Sequence, residues 1–373
     1  MAEVAPNIAI RAGGAGVDMT PRLSSGHGMK PLDFRSDTVT QPSPAMRKAM
    51  AEAEVGDDVL DHDPTLARLE ARVAEELGLE AGLWVPTGSM GNLIALMLHL
   101  GRGDQFFAPA AAHVLAAELG TAAWLAGGMP VALDWAGGQG RPAPAQVRRL
   151  CAPVAHPLAL RARLLCLENT HNAAGGAVTP VEEHEALVRE ARTHGLAVHL
   201  DGARLWNAAV ALGATEASLA AGVDTALVCL SKGLGAPMGS VLCGDRQRMT
   251  AGRRLRKMLG GGVRQGGVMG AAGLVALGQR SDLARDHAHA RRLAEGLRAL
   301  GLQAAPPETN IVLVPAADPA GVIAALAGVG VRVSAFDRHV RFVTHRDLTE
   351  GDIDEALVRA APAVEGGRLA TRQ

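Results

Sequence analysis

Short apolar runs, QFFAPA, PVALDW, RLLCLEN, LAVHLDG, TALVCLSKG and GSVLCG, recur along the middle of this chain with helical stretches between them. No other feature limits the fold as strongly. A strand that faces water alternates apolar and polar residues, whereas these runs are apolar on both faces. Helices must therefore cover both sides of the sheet they form, which describes a mostly parallel α/β architecture. Between LCLEN and VHLDG, the segment VEEHEALVREARTHG has the spacing of one such covering helix.

Local signals place further helices. Ser43 and Pro44 open a helix over 43–54, and Asp63-Pro64 opens the next, with Leu66, Leu69, Val73 and Leu77 spaced for one buried face. The turn TGSMGN at 87–92 leads into the apolar MGNLIALMLHL, a third helix. From about residue 270 the character changes. AAGLVALGQRSDLARDHAHARRLAEGLRAL reads as one long helix, followed by the β-like pieces TNIVLVP and HVRFVTH and a last helix near LTEGDIDEALVRAA. The expected organisation is a loose N-terminal tail over 1–30, a large α/β domain over 31–270 and a small α+β domain over 271–373.

Composition removes several function classes. The 373 residues carry a formal net charge of -1, which offers no basic excess for nucleic acid or an anionic membrane. Aromatic residues make up 2% and tyrosine is absent, so stacking platforms for bases are scarce. No 18-residue apolar span is free of breakers or charges, and the N-terminal residues do not read as a leader. Cys151, Cys166, Cys229 and Cys243 lack metal-ligand spacing, and three of them lie in apolar runs, as expected for reduced core residues of a cytoplasmic protein. No GxGxxG follows an early strand, which argues against a dinucleotide-binding dehydrogenase.

In parallel α/β sheets ligands gather at the carboxyl ends of the strands. Glu168, Asp201 and Lys232 all stand at such ends. Together with the TGSMGN turn they meet the separate demands of a pyridine aldehyde phosphate. Asp201 is a carboxylate for the ring nitrogen, and Lys232 an amine for the aldehyde. Gly88 and Ser89 sit where backbone N–H groups at a helix start bind phosphate. His113 is a flat group for the ring face. Arg204 and Arg341 have the planar fork that grips a substrate carboxylate.

These residues lie in blocks that resemble the pyridoxal-phosphate-dependent threonine aldolases, within the aspartate-aminotransferase-like fold (fold type I). The resemblance spans roughly 33–350 and includes DFRSDTVTQPSPAMRKAM, PTGSMGN, HVLAAELG, LCLENTHNAAGG, HLDGARLWNAA, SKGLGAPMGS and RRLRKMLGGGVRQGG. It implies pyridoxal 5'-phosphate as cofactor, held covalently by Lys232, with Asp201 on the pyridine nitrogen, Gly88 and Ser89 on the phosphate, and His113 stacked on the ring. It implies Ser36, Arg204 and Arg341 as the carboxylate grip. The basic run with Arg254 and Lys257, and Arg264 beyond it, resembles an element that reaches phosphate across a subunit interface in a homotetramer built from dimers. His156 resembles a histidine that reaches the substrate hydroxyl from a neighbouring subunit. The implied reaction is retro-aldol cleavage of a β-hydroxy-α-amino acid to glycine and an aldehyde. β-Elimination, racemisation or a specialised aldol synthesis are the alternatives on the same cofactor.

One block departs from the family pattern. Where relatives commonly read YGEDP, this chain has Leu60-Asp61-His62-Asp63-Pro64. A phenol gives way to an aliphatic side chain and a carboxylate to His62. Beside a substrate, His62 would add a group that titrates near neutrality and would shift substrate preference.

Overall fold

A computed structural model describes residues 30–152 and 159–365. The expected tail, apart from Lys30, and His156 lie outside the described residues. The strands in chain order are β1 (Leu32–Asp33), β2 (Ala81–Val85), β3 (Gln105–Pro109), β4 (Met129–Leu133), β5 (Ala162–Glu168), β6 (Ala197–Gly202), β7 (Thr225–Cys229), β8 (Ser240–Gly244), β9 (Ile311–Pro315), β10 (Val331–Arg332), β11 (Ser334–Phe336) and β12 (His339–Val343).

β2 to β8 form one seven-stranded sheet in the order β2-β8-β7-β6-β5-β3-β4. Pairing is parallel from β7 through β4, and β8 runs antiparallel to both of its neighbours. β2 therefore points the same way as β7, and its carboxyl end opens on the same edge as those of β3, β5, β6 and β7. β2 is the strand that the apolar-run pattern does not announce, because AGLWV is short and merges into the glycine-rich turn after it.

Successive side chains divide between two apolar layers. Trp84, Phe107, Leu165, Leu167, Val228 and Val241 join the large cluster on one face. Their neighbours Leu83, Val85, Leu227 and Leu242, with Phe106, Leu164 and Cys166, pack into clusters on the other. A period of two with apolar residues at every position is what a sheet covered on both faces requires.

The helix Pro64–Leu77 is capped by Asp63, whose Oδ1 accepts from the N–H groups of Thr65 and Leu66, and it buries Leu66, Leu69, Val73 and Leu77. The stretch expected as one long helix is two. Gly267–Leu277 is apolar nearly all round and buried against the sheet domain. A short 3-10 turn at Arg280–Asp282 then redirects the chain into Leu283–Ala299. One straight helix could not pack an all-apolar segment in one core and an amphipathic one against another. The C-terminal residues build a separate three-stranded sheet, β11-β12-β9, and a second apolar cluster. Leu32 and Phe34 belong to that second cluster, and β1 pairs with β10, so the start of the described chain is packed with its end.

Candidate active site

Five loops leave the same sheet edge and enclose a cavity of about 360 Å³. From β2 comes Pro86–Ser89, from β3 His113, from β5 Glu168 to Asn172, from β6 Asp201 to Arg204, and from β7 Ser231 and Lys232. The helix Gly88–His99 begins at this edge, with Thr87 capping it by accepting from the N–H of Met90. Its positive end and free N–H groups therefore face the cavity. Lys232 is held by its backbone: its carbonyl accepts from Thr40 Oγ1 at 2.9 Å and from the N–H of Gly235 at 2.9 Å. Gly235 has φ +80, which suits glycine at this turn.

Asp201 is buried and ringed by donors. Asn92 Nδ2 donates to its Oδ2 at 2.8 Å, and the N–H of Ala203 donates to Oδ1 at 3.0 Å. The same Asn92 amide donates to Glu118 Oε1 at 2.8 Å, which also pairs with His113 Nδ1 at 2.7 Å. His113 has its proton affinity raised, chiefly by that bond to Glu118, while burial pulls the other way and Asp201 assists. Glu168 uses one oxygen to accept from the N–H of His113 at 2.6 Å and the other from the N–H of Asn172 at 2.8 Å. Burial pushes the Glu168 carboxyl up, with Asp201 adding to the rise.

Arg204 is almost wholly buried. It donates Nε and Nη2 to the two oxygens of Asp37, each at 2.7 Å, and Nη1 to Asn172 Oδ1 at 3.1 Å. Arg341, on β12, donates Nη2 to that same oxygen at 3.0 Å. Burial alone would raise the Asp37 carboxyl, but the charge and hydrogen bonds of Arg204, followed by Lys232 and Arg341, hold it well below the usual carboxylate range. Burial and the neighbouring Arg204 bring Arg341 down to about 10. Two guanidinium groups thus converge on one neutral amide oxygen, and only Arg204 has a carboxylate partner, Asp37. Arg341 is left without a carboxylate partner among the described residues, and a bound substrate carboxylate would supply one.

Gly88, Ser89, His113, Asp201, Arg204 and Lys232 all line the cavity. Arg341 reaches it through Asn172. Ser36 does not line it; its hydroxyl accepts from Thr38 N–H as the cap of a 3-10 turn, and Thr38 faces the cavity instead. His62 is exposed and pairs with Asp61 at 3.1 Å. Arg254 and Lys257 border a different cavity of about 490 Å³, and Arg264 pairs with Asp57 at 3.3 Å. A single chain does not bring these last four residues to the site.

Sequence reasoning missed Asp37, Asn92, Glu118 and Asn172. Asn92 carried a weak signal, as a lone amide in an apolar helix. The others find their partners far along the chain, or only once a loop is folded.

A family model described as beta-eliminating lyase matches residues 33–319. A probable low-specificity L-threonine aldolase 2 of Arabidopsis thaliana is 41% identical over 345 residues, covering 88% of this chain and 96% of that protein. The chain belongs to the threonine aldolase family of beta-eliminating lyases. Among solved structures, a threonine aldolase of Leishmania major superposes with a TM-score of 0.76 at 22% identity, over 90% of this chain and 100% of that one. An aspartate aminotransferase of Thermus thermophilus gives 0.65 at 22% identity, over 90% of each chain. The fold is thus the aspartate-aminotransferase-like one, and the protein is a pyridoxal-phosphate-dependent lyase.

The residues present fit that cofactor. A lysine, an ionisable carboxylate surrounded by donors and a helix N-terminus with a Thr-Gly-Ser turn share one cavity. Asn92 Nδ2 bridges Asp201 and Glu118, and Glu118 in turn holds His113, so the three side chains are fixed relative to one another.

Proposed function

We propose that this enzyme cleaves L-threonine, L-allo-threonine and related β-hydroxy-α-amino acids to glycine and an aldehyde. The observation that carries the reading is the shared oxygen of Asn172. Arg204 and Arg341 meet there beside Lys232 and Asp201, so a substrate carboxylate docked on the two arginines would be held in the cavity that Lys232 and Asp201 line.

In this reading Lys232 holds the cofactor covalently, Asp201 bonds its ring nitrogen, and Gly88 and Ser89 hold its phosphate. When bound, the cofactor supplies an electron sink for the pair left by the broken Cα–Cβ bond. The chain supplies the rest. The fork of Arg204, fixed by Asp37, sets rotation about the substrate's Cα–N bond and so selects which bond is cleaved. His113, at the cavity wall, would stack on the ring and accept the β-hydroxyl proton.

We further infer a cytoplasmic homotetramer, a dimer of dimers, in which Lys257 and Arg264 meet the partner's phosphate and His62 its substrate. Leu60 is 82% exposed and Met258 76%, an apolar rim beside that basic run that supports a buried interface in the assembly. Among the described residues no helix is long and apolar enough to cross a membrane.

The test is a timed assay of cofactor-loaded protein with L-allo-threonine and L-threonine. Equal amounts of glycine and acetaldehyde, abolished in K232A, are expected. A keto acid would identify β-elimination, and the inverted amino acid racemisation; either result would overturn the aldolase reading.

A further inference from the structure

The proposed reaction gives Glu118 no role, yet it is buried, with its side chain 1% exposed. One oxygen, Oε1, serves both His113 Nδ1 at 2.7 Å and Asn92 Nδ2 at 2.8 Å, while Oε2 has no hydrogen-bond partner. Asn92 stands at the centre of a longer row. Its Oδ1 pairs with His199 Nε2 at 3.1 Å, His199 Nδ1 with Thr225 Oγ1 at 2.9 Å, and that hydroxyl with His99 Nε2 at 2.9 Å.

The protons in this row have only one consistent arrangement. An amide nitrogen must face the two carboxylates, so Asn92 Oδ1 faces His199 and His199 must donate from Nε2. Burial lowers His199 to about 4, so near neutral pH its Nδ1 is bare and accepts from the Thr225 hydroxyl. That hydroxyl oxygen then accepts from His99 Nε2, itself neutral because burial lowers His99 to about 4. Every donor in the row points toward Glu118 and Asp201. With the Asn92 amide donating to both, Glu118 Oε1 is left an acceptor toward His113 Nδ1.

We propose that Glu118 is a positioning residue for the aldol step, accepting a hydrogen bond from His113 Nδ1–H so that Nε2 is the nitrogen left to accept the substrate's β-hydroxyl proton, and locking that ring to Asp201 through Asn92. This rests on the aldolase reading for its substrate, though not for its geometry. In the step, the substrate O–H bond breaks and an N–H bond forms at His113 Nε2. The oxygen becomes the aldehyde carbonyl as the Cα–Cβ bond breaks, and the electron pair stays with the α-carbon. One proton returned to that carbon gives glycine, so no outside acid or oxidant is needed. The imidazolium formed meanwhile is balanced by Glu118. The charged groups around His113 are Glu118 on its own segment, Asp201 on β6, Glu168 at its N–H and Lys232 from the turn after β7. Lys232 opposes protonation and the first two favour it.

Two measurements test this. In the holoenzyme labelled with ¹⁵N-histidine, neutral His113 is expected as the Nδ1–H tautomer, assigned by its loss in H113Q. An Nε2–H tautomer overturns the proposal whatever reaction the enzyme performs. In E118Q, the acid limb of kcat/KM for L-allo-threonine is expected to move to lower pH by about one unit, with kcat down ~10-fold. KM and cofactor absorbance should change little, and E118D should restore the limb. An unmoved limb in folded, cofactor-loaded E118Q overturns the proposal. If the enzyme makes no glycine, the aldolase reading fails, and the tautomer still decides the role of Glu118. The tautomer needs no variant at Glu118, so poor folding of E118Q would not shield the proposal.

Discussion

Among the described residues, buried charged side chains show two opposite ways of living without water. Asp37 and Arg204 are both buried, but each satisfies the other with two hydrogen bonds of 2.7 Å, and Asn310 adds a third donor to Asp37 at 3.2 Å. Removing one member would strand the other's charge away from water. Asp286 is the opposite case. It is fully buried, and neither of its carboxylate oxygens has a partner. Burial, offset in part by Arg285 and reinforced by Asp37, pushes its carboxyl from the ordinary 3.8 up to about 7. The folded state thus holds this proton more tightly than the unfolded one. The resulting stability is fully present below the unfolded value and is lost progressively as pH rises through about 7. D286N, neutral at every pH, is expected to gain on the parent by about 1–3 kcal/mol between pH 5 and pH 8. Paired melting curves at the two pH values check this, because any fixed cost of the amide cancels in the comparison.

At the scale of elements, the helix Gly88–His99 ties the site to the sheet. Its N-terminus faces the cavity, and Asn92, one turn in, reaches Asp201 on β6 and Glu118 beyond β3. This closeness depends on glycine. A Cβ on Gly88 would lie 2.9 Å from Cys229 Sγ, and one on Gly91 2.3 Å from Leu227 Cδ1. Both contacts are with β7, the strand that leads to Lys232. G88A should therefore tilt the phosphate end of the helix while leaving the rest of the fold intact. The expected result is ~10-fold weaker cofactor binding by absorbance titration, with unchanged circular dichroism. The strand and helix positions were legible because period two and apolar spacing are local properties. The polar network was not. Arg204 and Asp37 are 167 positions apart, and Asn92 and Glu118 26. No short-range pattern in a sequence marks such pairs.

For the whole molecule, the proposed tetramer carries its own consequence. Within one chain Lys257 and Arg264 do not line the cavity, and no carboxylate among the described residues pairs with Lys257. If they serve a partner's phosphate, K257A and R264A should weaken cofactor retention about tenfold each while leaving the isolated fold unchanged. Equilibrium dialysis of the cofactor, with light scattering to follow the assembly, checks this. Unchanged retention in an intact tetramer would remove both residues from the site.

The amino-acid sequence by itself determined the layered α/β architecture, since strands apolar on both faces have no stable arrangement except between two layers of helices. It also placed Lys232, Asp201, His113 and Arg204 at or just beyond strand ends, and parallel strands send all their carboxyl ends to one edge. Only the tertiary structure decided which polar groups hold those residues in place. Asp37 fixes Arg204, Asn172 joins two arginines, and Asn92 joins Asp201 to Glu118. Hydrogen bonds of this kind are set by distances of a few tenths of an ångström between separate elements, and those distances exist only after the core has packed.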